Sequence, residues 1–510
     1  MSTGRKKCVV GYDASSSGAK ALAMGRDGKV IALGQATYQY VQGLPKGQCR
    51  LEQATMMRGV RDAGVNLRAM REMADFDCDG TAAGGAMHGL NVLDGSGNPL
   101  DNITCWDDGG DEEHGLYLSE QLGVPIPRRF TFARWLGWKK RNPDKAKRAA
   151  RVMTPSGYVT YYGCGQNAVL PGDASGMVGY MANPARFDLD RLGVIDEQFP
   201  ALLPRVAAFG EKIGEMTDGG AQLFGWPAGV PWAAPCGDQP LGSYGKGCSR
   251  KGDISVELGQ SIVVNVFGFR VVLFKRGLVE ALRSTLGEDM MMCCVTNGVQ
   301  AYAALFTLLK EVWGSQGDDR TLHDFLADKA AAVPPGAGGL MALPFFVPEG
   351  SLLQGDSFAA LLGLSKANFN VGNIVRAFME TPILILKKAL QEMGVTGQIK
   401  RVVLSGGGAK DKLWGQIIAD IFGVPVVVSA CTEAVAFGAA LNALAMVKRL
   451  SNEQVTAQEL ADAHCQYGKT FTPNTQAGAI YDRLVEQVLS AEKAMGSIYA
   501  LQQKGFFAAG

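Results

Sequence analysis

The chain has 510 residues, 47 % of them apolar and 19 % charged, so it is expected to fold as two large domains or three smaller ones rather than around one core. Its 50 basic and 49 acidic side chains cancel, which removes the electrostatic case for nucleic acid or an anionic membrane as partner. No run reaches 18 uninterrupted apolar residues: 434–447 comes nearest and is broken by Asn442, so no membrane span is expected.

In chain order, the start passes from a short basic stretch directly into a strand over 8–13, without the apolar segment of a signal peptide. That strand ends on Asp13 and a small-residue turn, Ala14-Ser15-Ser16-Ser17-Gly18. A second strand over 19–24, an Asp27-Gly28 turn and a third strand over 29–36 complete a meander. Helical spacing covers 52–74. A strand over 87–94 carries Met87-His88-Gly89, and Trp106-Asp107-Asp108-Gly109 follows. The stretch 128–151 is strongly basic and holds Trp135 and Trp138. Its charges fall at helical spacing between apolar residues, which predicts a solvated helical face rather than a nucleic-acid patch.

The corner Pro235-Cys236-Gly237-Asp238-Gln239-Pro240 comes next, and a small polar stretch over 246–253 marks a break, with domains expected at 1–248 and 249–510. The second half restarts on Ile254-Ser255-Val256-Glu257, a turn Leu258-Gly259-Gln260-Ser261 and a strand from Ile262. Pro334-Pro335-Gly336 opens a turn. A strand over 401–405, the turn Gly406-Gly407-Gly408, an amphipathic helix over 412–422, a buried strand over 424–428 and an Ala/Gly-rich helix over 433–450 close the organised part. The tail, 451–510, reads as largely helical.

The acidic residue and hydroxyl-rich turn occur twice, at Asp13 and at Glu257. Such a turn leaves backbone N–H groups free to face an anion, and a carboxylate beside it can hold a metal ion. Each copy taken alone is equally an ordinary hairpin. Asp238 is either a general base, able to take a proton from a hydroxyl that attacks a phosphate, or the cap of the following helix. His88 with Asp108 and Trp106 forms a polyol-recognition set, or His88 packs in a core. The match to a conventional phosphate loop at 463–470 lacks its first glycine and is set aside. Eleven cysteines without CxxC spacing and four histidines, none near a cysteine pair, argue against a structural zinc site and favour free thiols in a reducing cytoplasm.

In this order the segments resemble the FGGY family of carbohydrate kinases, most of all its xylulose branch, over about residues 8–447. Asp13-Ala-Ser-Ser-Ser-Gly-Ala-Lys20 is similar to the family's first phosphate motif, Asp-Leu-Gly-Thr-Ser-Gly-Val-Lys. Met87-His88-Gly89 resembles the Gln-Met-His-Gly sugar contact, and Trp106-Asp-Asp108-Gly109 resembles Trp-Asn-Asp-Gly-Arg. Gly237-Asp238-Gln239 is similar to the catalytic corner Gly-Asp-Asn/Gln, and Glu257-Leu-Gly-Gln-Ser261 to the second phosphate motif. The segment from Ser405 through Gly408, with Leu413-Trp414, resembles the adenosine segment, and the helix from Glu433 the close-packed helix after it.

The resemblance implies an α/β protein of two ribonuclease-H-like (actin/hexokinase-like) domains hinged over a central cleft, with sugar on the first and ATP mainly on the second. It implies Asp238 as the base, with Met87, His88, Asp108, Asp238 and Gln239 on the sugar. Ser15, Ser16, Ser17, Lys20, Gly259, Gln260, Ser261, Gly407, Gly408 and Lys412 would serve the nucleotide, and Asp13 the hydration shell of Mg²⁺. The expected reaction is ATP-dependent phosphorylation of a ketopentose, D-xylulose first. A gluconate or other ketose kinase and a nucleotide-gated sugar sensor are the alternatives, and a homodimer is left open. Departures fall on the sugar side: Ala86 stands where the family has Gln, Gly110 where it has Arg, and Gly350 where Glu-Arg is common. Ser15 and Gln260 replace Gly and Thr in the two turns, each still small or polar.

Overall fold

The structure, a computed structural model, describes residues 5–270, 279–314, 318–346 and 358–505; Glu349 and Gly350 lie outside them. The chain divides into two compact units, one of 1–249 with 281–290 and 433–466, the other of 250–280 with 291–432 and 467–510.

The first unit is built on a seven-stranded mixed sheet. Its path runs Lys212–Glu215, Pro231–Ala233, Phe76–Gly85, Lys6–Ala14, Gly18–Gly25, Val30–Thr37, and Cys236–Gly237 also pairs with Phe76–Gly85. Lys6–Ala14 is antiparallel to Gly18–Gly25 and parallel to Phe76–Gly85. A strand with a parallel neighbour is covered on both faces, which is why 8–14 are buried without alternation.

The second unit repeats the layout. Ile262–Phe267, Asp253–Leu258, Arg401–Ser405, Val426–Ser429 and Tyr467–Phe471 lie side by side, and the sheet continues through Asp289–Val295 to Val279–Arg283 at its other edge. Here too an antiparallel hairpin is flanked by a parallel strand. The expected α/β class, with two related halves, is the fold observed.

In the first unit the helix Ala434–Leu450 is pressed onto this frame through glycines. A Cβ on Gly11 would lie 2.0 Å from the Ala436 carbonyl oxygen, and one on Gly245 would lie 2.1 Å from that of Ala434. Gly438 returns the contact, since its Cβ would sit 2.4 Å from the Leu241 carbonyl. Asn442, the polar break in the apolar run, is buried and satisfied: its amide donates to the Ala234 carbonyl at 2.8 Å and its oxygen accepts the Gly210 N–H at 2.6 Å.

Several sequence expectations shift. The helix expected over 52–74 stops at Arg68 and resumes as a single tight turn, Arg71–Met73. The strand expected over 87–94 is only Asn91–Asp94. The basic stretch is not one solvated face. Thr131–Arg141 is a helix with Trp135 and Trp138 buried, and Arg134 is fully enclosed, which a count of charges could not reveal. The tail contributes a sheet strand, Tyr467–Phe471, besides its helices. On the long helix Thr475–Gly505, the buried Tyr481 hydroxyl donates to Glu380 at 2.6 Å, and Arg376 holds the same carboxylate at 2.6 Å. Among the described residues no helix is long and apolar enough to cross a membrane.

Gly11→Ala is expected to cost about 1–3 kcal/mol through overpacking against the helix. Gly95→Ala, with nothing within 4 Å of its Cβ, should leave stability unchanged. Urea unfolding of both variants checks this.

Candidate active site

Asp13 is the penultimate residue of its strand, 6 % exposed, with Lys20 opposite it on one side and Gly84 on the other. The turn that follows is closed by Ser15, whose N–H and hydroxyl both donate to the Gly18 carbonyl at 2.9 and 2.8 Å. Ser16 Oγ accepts the Trp106 indole N–H at 3.0 Å, and Ser17 is exposed at the tip. Lys20 forms an ion pair with Glu433, just before the close-packed helix. The ammonium that the sequence assigns to nucleotide thus holds a carboxylate in this structure.

The register of the sheet carries the next residues. Cys236 pairs with Gly84 and Gly237 with Gly85, so the strand ends that lead into Ala86–Met87 and into Asp238 lie side by side. Asp238 is the first residue of the helix Asp238–Gly245, and Gly237 holds the cap position through its backbone. Asp238 is half-buried, and its Oδ1 accepts the Gln239 N–H at 2.8 Å. A helix N-terminus favours the ionised carboxylate. Gly237 must be glycine: a Cβ there would lie 2.2 Å from Met87 Cγ.

Met87 and His88 are 3 % and 4 % exposed, and His88 takes a left-handed φ of 64°. Its ring stacks on Phe130 at 4.7 Å between centroids. Burial, and next the positive charge of Arg129, hold its pKa well below the usual imidazole range. The ring is therefore neutral at pH 7, with one nitrogen to donate and one to accept.

Asp108 is 1 % exposed and serves as a brace. Its carboxylate accepts the N–H groups of Cys49 and Gly110, each at 2.9 Å, pairs with Arg50, and meets Arg134 at 3.3 Å. Arg134, in turn, reaches Asp111 at 3.3 Å and the carbonyls of Gly110 at 2.8 Å and Trp106 at 3.3 Å. Sequence reading passed over Arg134, which stood as one basic residue among many. A small pocket, partly open to solvent, is lined by Ser16, Tyr40, Ala86, Met87, Ile103 and Trp106, among others.

In the second unit the turn after Asp253–Leu258 is closed by the Gly259 N–H on the Ser261 carbonyl at 3.0 Å, while Gln260 is exposed and its carbonyl accepts the Gln300 N–H at 2.9 Å. The glycine turn abuts the same strand. A Cβ on Gly406 (φ 90°) would lie 2.5 Å from the Leu258 carbonyl, one on Gly408 2.9 Å from Leu258 Cβ, and one on Gly407 would face open space. Lys412 is exposed on the first turn of Lys412–Phe422, which Asp411 caps through the Leu413 N–H at 2.7 Å. The sequence missed a ring stack beside this turn. Phe306 and His323 lie 4.0 Å apart, and Tyr302 Oη is 3.0 Å from His323 Nδ1.

Among the described residues no group of three or more His, Cys, Asp or Glu is placed to hold a metal ion. Mg²⁺ commonly keeps several waters and uses one or two carboxylates together with substrate phosphates, a demand that Asp13 beside its turn fits.

Arg134→Lys keeps the charge but loses the planar fork, and a drop of about 2 kcal/mol is expected from bonds to charged groups that cannot be remade. Differential scanning calorimetry checks this; an unchanged melting temperature would mean that Arg134 does not support the Asp108 brace.

Residues 8–245 match the N-terminal domain of the FGGY family of carbohydrate kinases, and residues 254–447 match its C-terminal domain. A xylulose kinase of Haemophilus influenzae is 28 % identical over 461 residues, covering 85 % of this chain and 90 % of that protein. Among solved structures, a xylulose kinase from Rhodospirillum rubrum superposes with a TM-score of 0.84 at 20 % identity, covering 97 % of this chain and 100 % of that one. A gluconate kinase from Lactobacillus acidophilus superposes with a TM-score of 0.85 at 18 % identity, covering 97 % and 99 %.

Proposed function

This chain belongs to the FGGY family of carbohydrate kinases and is an ATP-dependent sugar kinase, and we propose that it phosphorylates a neutral ketopentose, D-xylulose first, with Asp238 as general base. The observation that carries the substrate class is the lining of the first unit's cavity. It is apolar apart from a few hydroxyls, and none of its described lining residues is cationic. A sugar acid brings a carboxylate whose burial is costly without a paired charge, whereas a ketopentose needs only hydroxyl partners and a flat apolar face. The Ser15, Ser16 and Tyr40 hydroxyls and the Trp106 ring of that lining supply these, with neutral His88 next to Met87 behind it, and Gln239 follows the base. The xylulose kinases among the similar proteins support the same choice.

In this reading the Asp238 carboxylate takes the proton of the sugar hydroxyl as that oxygen bonds to the γ-phosphorus. The bond from γ-phosphorus to the β–γ bridging oxygen breaks, and ADP leaves. Phosphoryl transfer asks for positioning and charge neutralisation more than for covalent chemistry. The turn that Ser15 closes would present Ser16 and Ser17 to phosphate, and the turn that Gly259 closes would present Gln260 and Ser261, with Lys412 as a cation; Lys20, paired with Glu433, would have to exchange that carboxylate for phosphate. Gly407, open on its Cβ side, leaves room for the nucleotide. Asp13 would hold the water shell of Mg²⁺, which when bound neutralises phosphate charge. Asp108 enters as the brace of the Trp106 loop.

The reading of Ala86-Met87-His88 as a gluconate-kinase pattern is the second candidate, since Ala86 lines the cavity where the family has an amide. ADP release measured over a panel of pentuloses, gluconate and glycerol separates the two. The expected result is turnover with a pentulose and a 10²- to 10⁴-fold loss of kcat in Asp238→Ala. Near-normal turnover in that variant would remove the base assignment. Binding of ATP and sugar by calorimetry without ADP release would make the protein a sensor instead.

A further inference from the structure

We propose that Asp173 is a positioning residue for the Asp238 corner and acts in its ionised form, an inference that rests on the assignment of Asp238 as base. Asp173 lies on the six-residue helix Pro171–Gly176 and is 1 % exposed. Its Oδ2 accepts two hydroxyls, Thr154 Oγ1 at 2.9 Å and Ser156 Oγ at 2.7 Å. Thr154 caps the helix Pro155–Cys164, whose first residue lines the cavity. The other oxygen, Oδ1, is buried and has no hydrogen-bond partner among the described residues.

That oxygen faces the corner. A Cβ on Gly237, the residue before Asp238, would lie 3.0 Å from Asp173 Oδ1. The short helix backs the corner along its length. A Cβ on Gly172 would meet Cys236 Sγ at 2.8 Å, one on Gly176 would meet His88 Nδ1 at 2.7 Å, and the Leu170 N–H donates to the Pro235 carbonyl at 2.8 Å. Asp173 thus ties the helix that lines the cavity to the platform beneath Met87, His88 and Gly237.

A buried carboxylate with one unsatisfied oxygen costs stability when ionised, and groups held at such a cost concentrate where chemistry needs them. Desolvation by burial pushes the Asp173 carboxyl up to about 6, against the pull of the Ser156 and Thr154 hydroxyls. The titratable groups facing it are Cys236 on the adjoining strand, His88 against Gly176, and Asp238 beyond Gly237. Burial keeps Cys236 a thiol, and Asp173 itself adds to that. His88 stays neutral. Near pH 6, therefore, Asp173 changes charge while Cys236 and His88 do not.

The sign of the stability effect follows. A carboxyl whose folded pKa lies above its unfolded value binds an extra proton when folded between about 4 and 6, so the fold loses stability as pH rises through that window and carries the full cost above it. Asparagine at this position accepts the same hydroxyls without the charge.

The test is kcat and kcat/KM against pH for wild type, Asp173→Asn and Ser156→Ala, with saturating ATP and the sugar that the panel identifies, alongside melting temperatures at pH 5 and 8. The wild type should show an acid limb near pH 6. Asp173→Asn should lose that limb and tenfold or more in kcat at pH 7.5, with sugar KM changed less than threefold. Ser156→Ala, short of one donor to the charged form, should move the limb upward by about one pH unit. The wild type should also lose melting temperature relative to Asp173→Asn between pH 5 and 8. Parallel pH profiles, or kcat unchanged in Asp173→Asn, would overturn the proposal while leaving Asp238 untouched. Full turnover in Asp238→Ala would remove the base but not the Asp173 limb. If no sugar is turned over, the melting comparison decides: a difference that does not change with pH would overturn the buried charge.

Discussion

The close approach of the helix Ala434–Leu450 to the first unit's sheet is the constraint on which the site depends. The helix backbone meets Gly11 two residues before Asp13, and its N-terminal turn meets Gly245 at the end of the Asp238 helix. Val435 meets Gly84, the register partner of both Asp13 and Cys236. A single rigid element thereby fixes the strand that carries Asp13, the strand end that leads to Met87, and the helix that begins at Asp238. Close-packed interiors transmit displacement rather than absorb it, so a shift of this helix would move all of these together.

Charge is placed against this frame in a second layer. Glu433, beside the helix, holds Lys20, and Arg134 with Arg50 holds Asp108. A buried pair such as Arg134 with Asp108 stabilises little in net terms because desolvation offsets the Coulomb gain; its effect is to allow one arrangement of the chain and penalise others. The loop that presents Trp106 is specified in this way. Its indole reaches Ser16 in the first turn, so the cavity wall and the hydroxyl turn are joined by a hydrogen bond.

Much of this was legible in the sequence. Local signals, such as a hydroxyl-rich turn after Asp13, a glycine turn after Ser405 and helical spacing from Lys412, depend on neighbours in the chain and correspond closely to what folds. The Ala/Gly-rich run from Ala434 announced close packing but not against what. Arg134 and Asp173 were not legible, because each is defined by partners far away in sequence: a basic residue in a basic stretch and an acid between a glycine and an alanine carry no periodic signal. His88 shows the same limit, since its left-handed backbone interrupts a segment whose composition suits a strand. The role expected for Asp108 was set by its motif, whereas burial and hydrogen bonding make it a brace.

The account stands on the corner that leads into Asp238, where Gly237 packs against Met87. It is tested most directly by a crystal structure of the protein with D-xylulose and a non-hydrolysable ATP analogue. An Asp238 carboxylate oxygen at about 3 Å from the hydroxyl that faces the γ-phosphate, with His88 bonded to another sugar oxygen, is the predicted result. A sugar bound with no hydroxyl within direct or single-water reach of Asp238 would contradict it.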